Sequence, residues 1–223
     1  MKLAIIGYGK MGRLIGQLAP EYGFTEVVSV DIGEDFAKAA GADVAIEFTA
    51  PEAVPGNIEK LAGMKLPVVV GTTGWLKHMD QVRATVEKNG SALVWSPNFS
   101  VGVNVFLRVV REAARLLADE KEYGAWAWEI HHITKKDAPS GTLIQLVEKM
   151  KAAGYGRNID VSSNRAGAHP GTHEIGFDSA ADSITLRHTA RSREGFARGA
   201  LKAAQWIIGR KGFYEFSDVL FGG

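Results

Sequence analysis

Three glycines in one setting constrain this chain more than any other feature. Gly7, Gly9 and Gly12 stand in Ile6-Gly7-Tyr8-Gly9-Lys10-Met11-Gly12-Arg13, directly after the apolar run Leu3 to Ile6. Met11, Leu14, Ile15 and Leu18 then recur at helical spacing until Pro20 and Gly23 end the pattern. A strand that turns straight into a helix around a pyrophosphate needs glycine three times: for the tight turn, for backbone approach to the phosphates, and for close helix-to-strand packing. The helix start also offers unpaired N–H groups and a positive dipole end. Without its flanks, the triplet reads equally as a glycine-rich turn of an ordinary α/β protein.

The first hundred residues repeat that alternation. Short β-rich runs, Leu3 to Ile6, Val27 to Asp31, Val44 to Thr49, Val68 to Thr72 and Ala92 to Ser96, are separated by stretches with helical spacing or punctuation. Such repetition predicts an α/β fold with a parallel sheet of the Rossmann type, whose ligands sit at the carboxyl ends of the strands. The second run ends in Asp31, placed to bind the adenine ribose hydroxyls and to repel a 2′-phosphate, with Ile32 where an arginine would help hold one. NADH is therefore favoured over NADPH, with Lys10 and Arg13 as the residues that argue the other way. Gly71-Thr72-Thr73-Gly74 and Ser96-Pro97-Asn98-Phe99 follow the fourth and fifth runs. Their hydroxyls and amides suit a nicotinamide carboxamide or ribose, although as isolated strings they are ordinary loops.

From about Val101 the pattern changes. A long helical stretch with Val105, Val109 and Leu116 among its apolar positions leads to Gly124–Ile133, which alternates like a strand and carries Trp126 and Trp128. Thr172 to Asp178 and Ser183 to Arg191, joined by Ser179 to Asp182, predict a hairpin. The segment Phe196 to Ile207 is helical again.

Chemistry concentrates in Glu129-Ile130-His131-His132-Ile133-Thr134-Lys135-Lys136-Asp137-Ala138-Pro139-Ser140-Gly141-Thr142. Ser140 suits a helix N-cap, with Leu143, Leu146, Val147 and Met150 as one face of a helix ending at Gly154. The amides of Gly141 and Thr142 then open a helix, a natural carboxylate site. Histidine exchanges protons near neutral pH, and lysine holds a carboxylate or delivers a proton. If the strand stayed regular, His131 and Lys135 would share one face and His132 take the other. Two other readings stand beside acid/base chemistry: a pair of surface or capping histidines, and a zinc site completed by His169 or His173. Adjacent histidines are not the i, i+4 spacing of helical zinc motifs and the chain has no cysteine, so no metal is expected.

The string His131-His132-x-x-Lys135-x-Asp137-Ala138-Pro139-Ser140-Gly141-Thr142 resembles the signature of the 4-hydroxy-tetrahydrodipicolinate reductase family, also called dihydrodipicolinate reductases. The likeness runs along the chain: Gly7 to Arg13, Glu47-Phe48-Thr49, Gly71 to Gly74, Asn98 to Gly102, Arg165-x-Gly167 with Gly171-x-His173, Arg193 with Phe196-Ala197-x-Gly199-Ala200, and Asp218-Val219-Leu220. The resemblance implies that His131 is the acid/base residue and Lys135 a proton donor, with His132, Lys135, Ser140, Gly141 and Thr142 binding a small cyclic dicarboxylate. It implies cofactor contacts at Gly7, Tyr8, Gly9, Lys10, Met11 and Gly12, at Asp31, at Phe48 and Thr49, at Gly71, Thr72 and Thr73, and at Ser96, Pro97, Asn98 and Phe99. It also implies a Rossmann-type dinucleotide-binding domain, 1–101 with 194–223. A smaller α+β domain with a mixed sheet, 102–193, would bind substrate and form a homotetramer. Family members differ in cofactor preference. The segment from Ile32 to Gly41 is too short for a long helix, and Ala50 stands where some members carry arginine. Both departures weaken the expectation of NADPH.

Composition narrows the field further. Of 223 residues, 26 are Lys or Arg and 25 Asp or Glu, for a net charge of +1, which disfavours a nucleic acid as main partner. The first apolar stretch is too short for a signal-peptide core and none approaches a membrane span, so a cytoplasmic protein is expected. A regulatory protein that senses NADH without turnover accounts for the glycine loop and Asp31, but not for the His131 to Thr142 cluster. A reductase of the same scaffold acting on a different acid is the enzymatic rival.

Overall fold

The computed structural model describes residues 1–222 as two compact units, Gly102–Arg193 and, around it in sequence, Met1–Val101 with the segment from Glu194 onward. In the outer unit, strands β1 (Lys2–Ile6), β2 (Glu26–Val30), β3 (Val44–Glu47), β4 (Val68–Val70), β5 (Ala92–Trp95) and β10 (Gly212–Glu215) form one sheet in the order β10-β5-β4-β3-β1-β2. Every pairing is parallel.

Strand residues alternate between two cores. Leu3, Ile5, Val44, Ile46, Val69 and Val94 pack with helices α1 (Lys10–Leu18), α6 (Glu194–Ile207) and α7 (Phe216–Phe221). Ala4, Ile6, Ala45, Val68, Val70 and Leu93 face α2 (Val54–Gly63) and α3 (Met79–Lys88). Burial on both faces is why these strands read as unbroken apolar runs. The buried stripe of α6 is mostly small, Ala197, Gly199, Ala200, Ala203 and Ala204, which lets that helix lie against the loop at Phe99.

Several strand ends fall short of the apolar runs that predict them. β3 stops at Glu47 because the Thr49 amide donates to Thr72 Oγ1 at 2.7 Å instead of to a neighbouring strand. Asp31 lies just beyond β2, and the link from Ile32 to Gly41 holds only a 3₁₀ turn, Phe36–Ala39, capped by Asp35. The four-residue β10 was not anticipated, being too short to show a period.

The inner unit begins with the rest of α4 (Val101–Leu116) and builds a sheet β7-β6-β8-β9. β6 (Gly124–His131) is parallel to β7 (Ile159–Arg165) through the crossover helix α5 (Gly141–Ala152). β8 (Thr172–Asp178) and β9 (Ser183–Thr189) form the expected antiparallel hairpin. One face of β6, through Ala125 and Ala127, packs with Val110, Leu143, Leu146, Met150, Tyr155, Ile175 and Phe177. Trp126 points the other way and lies over Gly176, where a Cβ would come within 2.1 Å of the indole.

The sequence left the buried face of α4 open, and the extent of β6 needs correction. On α4 the buried face is Val103, Phe106, Val110 and Ala114, while Val105, Val109 and Leu116 are 43%, 45% and 62% exposed. The helix is apolar on more than one face, and its period alone does not say which face the sheet covers. β6 ends at His131 and does not continue to Ile133. The Ile133 amide turns to the Gly167 carbonyl and the Lys135 amide to that of His132, so Lys135 sits on a turn, not on the strand face of His131.

Candidate active site

Register assembles the inner unit's polar centre. Across β6 and β7, Glu129 pairs with Ser163 and His131 with Arg165; across β6 and β8, Glu129 pairs with His173. Paired residues, and residues two apart, project to the same side of a sheet. Five chemistry-bearing side chains therefore meet from three strands.

Glu129 is fully buried at their centre. Its Oε1 accepts from Arg165 Nη2 at 2.8 Å, from Ser163 Oγ at 2.9 Å and from the Ser140 amide at 2.8 Å. Its Oε2 lies 2.9 Å from His131 Nδ1 and 3.5 Å from His173 Nε2. Burial opposes ionisation of Glu129, but the hydrogen bonds from Ser140, Arg165 and Ser163 outweigh it and hold the carboxyl at about 2. Burial pushes His173 down to about 4, helped by the neighbouring His131. Burial also lowers His131, against the pull of the Glu129 charge. Glu129 is thus anionic and both rings are neutral at pH 7. Gly171 lies at the other edge of His131, where a Cβ would stand 2.8 Å from Nε2, so the absence of a side chain there keeps that nitrogen clear.

The loop leaving β6 carries the remaining candidates. His132 Nδ1 lies 2.7 Å from Thr134 Oγ1. Lys135 Nζ donates to both carboxylate oxygens of Asp137, at 2.7 and 2.8 Å. The Ala138–Pro139 peptide is cis. Ser140, 2% exposed, caps α5 by accepting from the Leu143 amide, and its Oγ is 3.0 Å from His173 Nε2. The amides of Gly141 and Thr142 open the helix. Gly141 has neither a positive φ nor any atom within 4 Å of a Cβ built upon it, so neither backbone conformation nor packing demands a glycine there.

Glu129, His131 and His173 together have a metal-binding composition, one ligand atom from each lying within 4.8 Å of the others. The guanidinium of Arg165 already neutralises the carboxylate, and the 2.9 Å between Glu129 Oε2 and His131 Nδ1 is tighter than the about 3.3 Å between two ligands of a tetrahedral zinc ion. His169 is not in the group; its Nδ1 accepts from the Gly171 amide at 3.4 Å.

In the outer unit the parallel strands bring their carboxyl-end loops to one edge of the sheet. Gly7 has φ +90 and its amide donates to the Val30 carbonyl; a Cβ there would stand 2.2 Å from the Phe48 carbonyl oxygen. A Cβ on Gly12 would meet the Gly7 carbonyl oxygen at 2.2 Å, and one on Gly71 the Phe48 ring at 2.0 Å. The loops at Gly7–Gly12, Phe48–Thr49 and Gly71–Thr72 are therefore brought together. Gly9, at the N-cap of α1, has φ −75 and nothing within 4 Å of its Cβ position, an open cradle that fits a dinucleotide pyrophosphate. Tyr8 is half-buried, Lys10 and Thr73 are exposed, and Met11 packs on the core beside α1.

Asp31 is exposed, with Oδ1 accepting from the Ile32 amide, and its own amide donates to Glu34 Oε2 at 2.8 Å. Ser96 Oγ and the Asn98 backbone hydrogen-bond to each other, and Pro97 is exposed. Phe99 turns inward, 2% exposed, with its ring 4.8 Å from that of Phe216, so only its backbone remains for a ligand.

Sequence reasoning gave no role to Glu129, Arg165, Ser163 or Glu47. Glu47 is fully buried at the end of β3, accepts from Thr49 Oγ1 and Asn57, and is pushed up by burial. A charged residue inside an apolar run, as in Val44-Ala45-Ile46-Glu47, is the signal that would have marked it.

Known proteins resemble the chain over its whole length. The family model described as dihydrodipicolinate reductase, C-terminus, matches residues 102–220, and that for the N-terminus matches residues 22–99. A 4-hydroxy-tetrahydrodipicolinate reductase of Christiangramia forsetii is 35% identical, the match covering 99% of this chain and 98% of that protein. One from Methanosarcina acetivorans is 37% identical over 92% of this chain and 85% of its own length. Among solved structures, a dipicolinate-bound dihydrodipicolinate reductase from a Paenisporosarcina species superposes with a TM-score of 0.80 at 21% identity, covering 99% of both chains. A Thermotoga maritima aspartate dehydrogenase shares the fold more distantly, with a TM-score of 0.54 at 11% identity, covering 94% of this chain and 97% of its own.

Proposed function

This chain belongs to the dihydrodipicolinate reductase family, and on that premise we propose that it reduces 4-hydroxy-tetrahydrodipicolinate to tetrahydrodipicolinate, with loss of water, in lysine and diaminopimelate biosynthesis. A nicotinamide held by the loops at Gly7–Gly12, Gly71–Thr73 and Ser96–Phe99 would supply the hydride for the ring carbon that bore the hydroxyl. The protein holds the dicarboxylate and handles the proton. The Gly141 and Thr142 amides at the start of α5 receive one carboxylate, with His132 beside them. Lys135 takes the other, the substrate carboxylate replacing Asp137 at Nζ. His131 returns a proton to the ring as it is reduced.

The observation that carries this reading is Gly141. A glycine that neither fold nor packing requires, directly after a buried cap, leaves a helix start bare for an anion to reach backbone amides. Absorbance at the NADH band in the presence of enzymatically generated substrate tests it directly. Oxidation of the nucleotide supports the reaction, whereas cofactor binding without turnover by either nucleotide overturns it in favour of a non-catalytic NADH sensor.

The outer unit is the dinucleotide-binding domain in this reading, with contacts from the loops already described, and NADH is the preferred reductant. Asp31 and Glu34 stand side by side where the ribose would lie, and the nearby Lys38 is already paired to Glu34. A 2′-phosphate would meet net negative charge. Asp31→Asn is expected to lower the NADH to NADPH ratio of kcat/KM by about tenfold, or about 1.4 kcal/mol; an unchanged ratio would remove Asp31 from cofactor choice.

The inner unit binds substrate and forms a homotetramer. Trp126 and Trp128 lie half-buried on the sheet face turned away from α5, a large aromatic surface suited to a second copy. Light scattering should return about four times the 24.0 kDa chain mass. A monomer at micromolar concentration would contradict this assembly.

A further inference from the structure

We propose that Glu129 is a positioning residue for catalysis, fixing the tautomer of His131 so that Nε2 is the bare nitrogen that carries the transferred proton. This inference rests on the role of His131 in the reaction above. Glu129 Oε2 lies 2.9 Å from His131 Nδ1, a charge contact and not an aligned hydrogen bond, and neither atom is hydrogen-bonded to any other described residue; an ionised carboxylate only accepts, so its field favours the ring proton on Nδ1. The second ring nitrogen is then free to take up and release a proton.

The other carboxylate oxygen makes the arrangement directional. Oε1 is held by three donors, Arg165 Nη2, Ser163 Oγ and the Ser140 amide. The carboxylate cannot turn out of its plane without breaking all three contacts, and the Ser140 amide and Ser163 hydroxyl would lose the acceptor that holds them. The same three donors explain why the group stays charged although no water reaches it, and the Ser140 amide ties the strand to the cap of the substrate-binding helix. Glu129 therefore sets the position of a ring on β6 and of a loop beyond it at once.

Glu129→Gln turns this geometry into a test. With three donors aimed at Oε1, the glutamine carbonyl must take that place, and its NH2 group must face His131 and His173. An NH2 beside Nδ1 donates to it and drives the ring proton to Nε2. A nearly isosteric change thereby inverts the His131 tautomer. The groups that face His131 are Glu129 on its own strand, Arg165 on β7, His173 on β8, and Lys135 and Asp137 on the loop. Only Glu129 changes charge in the variant, so the affinity of His131 for a proton falls.

Long-range ¹H–¹⁵N NMR on the intact protein reads the tautomer without any turnover. The wild type should show His131 protonated at Nδ1, and Glu129→Gln at Nε2. In steady state the variant should lose about 10²-fold or more in kcat with KM changed less than about threefold. The limb on which kcat falls with rising pH should move down by about one unit or more. An unchanged melting temperature and NADH affinity separate this from unfolding. An Nε2–H tautomer in the wild type overturns the inference with no variant needed. So does a variant that keeps kcat and its pH profile. A wild type that shows the Nδ1–H tautomer but never turns over the substrate would instead sink the reaction assigned above, leaving the Glu129–His131 pairing in place.

Discussion

Lys135→Ala is expected to lower kcat by about 10²- to 10³-fold while leaving NADH affinity unchanged. Lys135 Nζ spans both oxygens of Asp137 and is 23% exposed, so the ammonium is already ordered beside the start of α5 and needs only to exchange one carboxylate for another. An ordered cation that meets charge developing on the substrate contributes mainly in the transition state, and losing it appears in kcat. The Asp137 carboxyl, kept low chiefly by its hydrogen bond with Lys135, would also be left without its cation and would repel the incoming dicarboxylate. KM should therefore rise as well. His132→Ala is the contrast: the His132 ring meets Thr134 Oγ1 in the loop, and its removal should raise KM more than it lowers kcat. Stopped-flow and steady-state rates with purified variants separate the two. Wild-type kcat and KM in both variants would dismiss this loop as the substrate site.

The largest effect on stability is expected at Gly199→Ala. A Cβ at Gly199 would stand 1.7 Å from the Phe99 carbonyl oxygen and 2.8 Å from its carbon, both backbone atoms, with the Phe216 ring at 3.2 Å. No side-chain rotation relieves such a clash, so α6 must move away from the loop 96–99 and open the core that holds Phe99 and Phe216. Overpacking of this kind costs about 3 kcal/mol, which for a chain of this length lowers the melting midpoint by about 10 °C. Thermal unfolding followed by circular dichroism checks it. Gly56→Ala, on the exposed side of α2 with nothing within 4 Å of its Cβ position, is the matched control and should stabilise by a few tenths of a kcal/mol or more. Equal midpoints for the two variants would contradict the packing argument.

Much of the molecule was legible from local pattern. The Gly7 to Gly12 turn, the apolar runs and the helical spacing of Met11 to Leu18 are short-range features, and they sufficed for a parallel α/β sheet with the loops after its strands at one edge. The Ser140 cap and the hairpin at Ser179–Asp182 were likewise local, each decided by a few neighbouring residues. The string from His131 to Thr142 pointed to the reaction through its resemblance to the dihydrodipicolinate reductase signature; its residue types and spacing alone left acid/base chemistry, surface histidines and a zinc site open.

What the sequence could not decide depends on partners distant along the chain. Which face of α4 is buried followed from the sheet that packs on it, since Val105 and Val110 are equally apolar as residues. The end of β6 at His131 was decided by Gly167, and with it the placement of Lys135 on a turn. The role of Glu129 needed the register of three strands: its partners Ser163, Arg165 and His173 lie 34, 36 and 44 positions away, and a one-residue slip would have sent them to the opposite face. Local sequence determined the elements, the glycine turn after β1 and the string from His131 to Thr142, because those rest on neighbours. Only the tertiary structure decided which buried charge meets which ring, because that rests on strand pairing across long stretches of chain.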